Sequence, residues 1–156
     1  MIHHLSAWCT TSLVLNYFNM AFNKEELIQK IHALGFPKKE ILLTFEEFFE
    51  GNTCEASIGV NVSYKPPVAE YRDTFKRLLD EKLADMVWIR IVDIEDPEEW
   101  IFTDTVYVIG DLTMEQLQDG IKNLHPDDIY EGWVYGEPMN VGEYDKSKNV
   151  YTIFWD

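Results

Sequence analysis

MVWIRIVDIEDPEEWIFTDTVYVI, residues 86–109, decides how this chain folds. Its opening run, Met86 to Ile94, is apolar on both faces and dominated by β-branched residues, which predicts a strand. The acidic turn Glu95-Asp96-Pro97-Glu98-Glu99 interrupts it, and Thr103 to Ile109 resumes the same chemistry as a second strand. Immediately upstream, Pro66-Pro67 opens the longest helix, because proline is tolerated in a first turn. There Val68, Tyr71, Phe75, Leu78, Leu79 and Leu83 form one apolar stripe opposite charged residues. Before that helix, Ala56 to Val62 alternates Ile58, Val60 and Val62 with Gly59 and Asn61, which predicts another strand.

On the other side, Thr113-Met114-Glu115-Gln116 is a capping box, followed by Leu117, Ile121 and Leu124 at helical spacing. His125-Pro126 ends that helix, and Ile129 to Tyr135 and Val150 to Trp155 read as two further strands. Nearer the N-terminus, Asn23 with Glu26 is a capping-box start for a helix carrying Leu27, Ile28, Ile31 and Leu34, capped by Gly35. Thr44 with Glu47 repeats the box and opens a short turn of helix through Phe49. The order strand, helix, strand, strand, helix, strand predicts an α+β fold. It is the ferredoxin-like βαββαβ antiparallel sheet with helices on one face, plus an extra N-terminal helix and a C-terminal strand.

A single domain is expected over residues 23–156. Residues 1–22 are expected to be an N-terminal extension, with a start at Met20 leaving a tidy domain. They lack the positive flank of a signal peptide, and their apolar run is far too short to span a membrane. Cys9 and Cys54 lie in different segments, which points to free thiols and a reducing compartment.

Charge is unevenly distributed. Residues 1–90 carry 12 acidic and 10 basic side chains, whereas residues 91–156 carry 16 and 3, so −13 of the net −15 lies in the second part. Such a balance repels nucleic acid and anionic membrane and suits a basic protein partner. On the expected sheet, Asp93, Glu95, Asp96, Glu98 and Glu99 would share one rim with Asp104, Asp127 and Asp128. Like charges gathered in this way call for full solvation or a ligand. Asn61 would neighbour Asp104 there as a structural brace. Trp100, Trp133, Tyr135 and Trp155 are candidate aromatic anchors, since aromatics concentrate at interface hot spots.

Other chemistries find little support. No EF-hand spacing marks the acidic loop, and His3, His4, His32 and His125 form no zinc pattern with the cysteines. There is no nucleophile elbow and no phosphate-cradling glycine loop. No catalytic residue, metal ligand or cofactor is therefore assigned.

Three blocks carry a resemblance: Phe48-Phe49-Glu50-Gly51-Asn52, Ser57-Ile58-Gly59-x-Asn61, and Trp100 through Tyr107 (WIFTDTVY). Together they resemble a family of small acidic bacterial proteins described only as uncharacterised, over residues 23 to 130. The resemblance implies a bacterial cytoplasmic protein without known catalytic residues, and by class it looks like the immunity or inhibitor proteins that occlude a basic toxin. The expected function is non-enzymatic binding of a basic protein through an acidic, aromatic surface. The competing expectation is a cation- or small-molecule-binding domain, or a hydrolase, at the rim from Asp93 to Asp104. A homodimer paired through sheet edges is the assembly that such a fold favours.

Overall fold

The computed structural model describes residues 13–59, 61–94 and 99–156, with backbone alone over residues 13–23. Helices α1 (Leu13–Leu34), α2 (Phe45–Phe49), α3 (Val68–Asp80) and α4 (Met114–Ile121) accompany five strands. These are β1 (Leu42–Thr44), β2 (Met86–Arg90), β3 (Thr105–Gly110), β4 (Asp128–Glu131) and β5 (Asn149–Phe154). The sheet runs in the order β1-β2-β3-β5-β4, with every pairing antiparallel.

The α+β class and the antiparallel sheet are as expected, but the strand order is not the ferredoxin-like one. Two features account for the difference. First, the expected strand Ala56–Val62 is instead a 3-10 turn over Glu55–Ser57 and a single bridge from Ile58 to Thr103. Gly59 then turns the chain away at φ +61°, and Asn61 sits in a turn rather than beside Asp104 on a strand. An additional short strand, Leu42–Thr44, joins the sheet at its edge, three residues paired with β2. Second, β5 takes the position between β3 and β4 that the ferredoxin-like order gives to its first strand. The residues of β5 (NVYTIF) bury Tyr151, Thr152 and Ile153, whereas β4 (DIYE) is polar and exposed, so the apolar strand takes the interior position.

Several local readings hold. Thr44 and Thr113 both make reciprocal capping boxes, with Glu47 and Gln116 respectively. Gly35 adopts φ +113° at the end of α1 and donates to the His32 carbonyl at 3.0 Å. The Asn23 cap does not form, because α1 runs through that position from Leu13. The expectation for residues 1–22 lies outside the described residues as far as residue 12.

Register sorts the sheet into two faces. Leu43, Val87, Ile89, Val106, Val108, Tyr151 and Ile153 join the main core with residues of all four helices. Leu42, Tyr107 and Ile109 lie on the opposite face, where Val141, Trp133 and Tyr144 from the segment between β4 and β5 cover them. Central β3 is buried along its whole length, which explains why its sequence is apolar on both faces.

Buried tyrosines link this packing to pH: Tyr71, Tyr107 and, with burial and the Glu131 charge as causes, Tyr151. Burial, reinforced by the charges of Glu70 and Asp127, pushes the Tyr71 phenol above its ordinary value. Burial and the hydrogen bond to Glu40 do the same for Tyr107. A phenol raised in the folded state keeps its proton after the unfolded chain has lost it. This contribution to stability is complete below about pH 10 and lost as pH rises beyond it. Urea melts should show unfolding free energy falling above about pH 10, by up to about 1.4 kcal/mol per pH unit for each tyrosine. Tyr71 has no hydrogen-bond partner among the described residues, so Tyr71→Phe should remove one tyrosine's share of that slope while leaving stability at pH 7 nearly unchanged.

Candidate partner-binding site

The end of the sheet where β3 and β4 begin and β5 finishes holds the site. Asp104 immediately precedes β3, and its carbonyl accepts the Trp155 N–H at 2.9 Å. Asp127 precedes β4 and donates its N–H to the Phe154 carbonyl, also at 2.9 Å. These two bonds clamp both aspartates beside the last residues of β5. Beyond β4, Gly132 at φ +82° and Gly136 at φ +86° permit a turn that brings Val134 and Tyr135 back over Phe154. Thr152 secures it, donating to the Gly132 carbonyl at 2.6 Å and accepting the Val134 N–H at 3.4 Å.

The result is a pocket of about 350 Å³ with carboxylates from Asp104, Asp127, Asp128 and Asp156 and apolar surface from Tyr130, Val134, Tyr135 and Phe154. Tyr130 and Tyr135 both set their rings edge-on to Phe154, at 5.7 and 5.9 Å. Tyr130, Val134 and Tyr135 are nonetheless 45%, 45% and 53% exposed, an unusual solvent display of large apolar side chains in one place. Among the described residues, no lysine or arginine forms an ion pair with any of these four aspartates. Asp104 accepts only the Thr105 hydroxyl at 2.7 Å, and Asp127 the Asp156 N–H at 2.7 Å, among the side-chain bonds of the described residues.

Behind Tyr135 lies a cation that is already engaged. The Arg90 guanidinium stands 4.3 Å from the Tyr135 ring centre, and its Nε is 3.6 Å from Glu40, an ion pair too long for a hydrogen bond. Glu40 also accepts the buried Tyr107 hydroxyl at 2.7 Å. Arg90 therefore supports Tyr135 from inside while the outer face of the ring stays open.

The expected rim is gathered only in part. Asp104, Asp127, Asp128 and Tyr135 share the pocket, whereas Asp93 and Glu99 do not line it. Asp93 pairs through its backbone with Phe102, and the Glu99 carbonyl accepts the Lys24 ammonium. Glu95, Asp96 and Glu98 lie outside the described residues. Trp100 and Trp155 are not surface anchors, being 6% and 1% exposed. Trp133 is half-buried against Tyr107 and donates its indole N–H to Tyr144 at 3.0 Å. Tyr130, Val134, Phe154 and Asp156 complete the pocket without having been singled out in the sequence. The glycines at 132 and 136 mark a turn around Val134 and Tyr135, while no local pattern points to Tyr130, Phe154 or Asp156.

A second acidic cleft of about 400 Å³ lies between α1 and α2, lined by Glu26, Lys30, Glu46, Glu47, Glu50 and Trp100. It is already partly neutralised, since Lys30 pairs with Glu47 at 2.5 Å. Among the described residues, no group of three or more His, Cys, Asp or Glu side chains is arranged to hold a metal ion. None of their helices is long and apolar enough to cross a membrane.

Neither the curated proteins nor the solved structures include a match to this chain. The sequence model of one family matches residues 23–153, further toward the C-terminus than the resemblance seen in the sequence blocks. That span covers the pocket except Asp156 and Phe154, and by it the chain belongs to the uncharacterized protein YfbO family.

Proposed function

We propose that this chain is a non-enzymatic, cytoplasmic protein-binding domain that holds a basic protein against its acidic, aromatic pocket. It would occlude that partner as an immunity or inhibitor protein does. One observation carries the reading: Asp104, Asp127, Asp128 and Asp156 surround the exposed Tyr130 and Tyr135, with no cation of the described residues paired to them. Gathering like charge costs stability, and a partner's lysine or arginine would relieve that cost. Such a side chain could meet a carboxylate at its head and a tyrosine face along its stem. Aromatic anchors then provide contact area, while the net charge of −15 steers the encounter.

Lysine- and arginine-containing peptides, titrated by calorimetry at rising ionic strength, test this directly. Affinity should fall steadily as salt shortens the screening length below ~8 Å. Peptides that do not bind, or that bind equally at low and high salt, would overturn the proposal.

A further inference from the structure

Both edges of the sheet are short strands, and the chain treats them differently. At β1, the Asn140 side chain accepts the Leu42 N–H at 2.9 Å and donates to the Leu42 carbonyl at 2.8 Å. That amide occupies the outer backbone groups of β1 and ends the sheet there. At the opposite edge, β4 pairs with β5 on one side, and no described element pairs with the other. Asp128, Tyr130 and Glu131 are exposed along it. Asp128 stands opposite Phe154 and Tyr130 opposite Thr152, so both project on the pocket side of the sheet.

We propose that β4 receives an extended basic segment of the partner as a sixth strand. This rests on the binding surface proposed above and specifies how the partner engages it. Alternate side chains of an added strand point to one face, so lysine or arginine at every second position would project on the pocket side. Cross-strand neighbours approach to about 4.5–5.5 Å, which sets one such cation beside Asp128 and the next over Tyr130. Backbone hydrogen bonds to β4 supply affinity, and the pocket supplies selection for charge. A second copy of this chain is a poor occupant: joining two β4 edges would set Asp128 and Glu131 against acidic residues of the other copy, and opposed like charges destabilise a sheet.

The probe is a peptide of alternating lysine and threonine, compared with two versions N-methylated at every lysine or at every threonine. Each methylated version keeps the charge and blocks the amides along one edge. Strand addition predicts that at least one version binds tenfold or more weakly, and that the unmodified peptide slows amide exchange within Asp128–Glu131. If both versions bind as well as the unmodified peptide, strand addition is wrong and the charge-based surface stands. If the unmodified peptide does not bind, both fall. Protection of β4 amides in the protein alone, with a dimeric mass in sedimentation, would instead assign this edge to a second copy and overturn the proposal.

Discussion

Trp155→Ala is expected to lower the free energy of unfolding by about 3–5 kcal/mol, the range for removing a large aromatic from a packed core. Trp155 is almost fully buried, with its ring set edge-to-face against Tyr71 at 5.3 Å and Phe75 at 6.2 Å. Its indole N–H donates to the Leu124 carbonyl at 2.8 Å, so truncation orphans a buried acceptor as well as opening a cavity. Surrounding groups are badly placed to fill that cavity, because Gly59 has no side chain to bring in, and a Cβ at that position would already stand 3.0 Å from the tryptophan Cβ. Since whole domains are stable by only about 5–15 kcal/mol, the loss is a large share of the total. Chemical denaturation followed by circular dichroism measures it directly. Trp155→Phe separates the contributions: it keeps an apolar ring and loses the hydrogen bond, and should cost clearly less. A full-sized loss in the phenylalanine variant would move the weight of the argument from packing to the Leu124 bond.

Trp155 also shows how far a sequence reaches. Placed among acids and tyrosines, it reads as a surface anchor, and so does Trp100; both are core. What decides between the readings is a contact with Leu124 in one case and with the α1–α2 region in the other, and neither leaves a periodic trace. Local rules did better. The boxes at Thr44 and Thr113 are complete within four residues, and the α3 stripe buries Tyr71, Phe75 and Leu78 as its spacing requires. Strand order failed for a physical reason. Leu42–Thr44 is too short to show alternation, while Ala56–Val62 alternates because Ile58 is buried against Thr103, without any ladder forming. The same limit applies to the pocket. Asp104, Asp127 and Asp128 could be named from charge, but their meeting with Phe154 depends on β5 lying between β3 and β4. The Asn140 clamp on Leu42 joins residues 98 apart and was likewise beyond any local pattern.

Neutralising the pocket separates its two effects, on binding and on stability. The triple substitution Asp104→Asn, Asp127→Asn, Asp128→Asn should weaken binding of a lysine-rich peptide by about tenfold, taking ~0.2–1 kcal/mol for each exposed charge pair. Folding should be unaffected or improved. Asparagine retains an oxygen that can accept the Thr105 hydroxyl at position 104 and the Asp156 N–H at position 127, so the local bonds survive. Repulsion among four aspartates unpaired within the described residues disappears, which should raise the melting temperature or leave it unchanged. Acids present only for solubility would give a different pattern, with specific binding unaltered. Acids with a structural task would give a third, in which stability falls together with affinity. Tyr135→Ala completes the comparison. It removes the ring that Arg90 supports while leaving every carboxylate in place, so affinity should drop while the salt dependence keeps its slope. If the triple variant binds as tightly as the parent chain, the pocket is not where charge is read, and the acidic cleft between α1 and α2 becomes the next surface to neutralise.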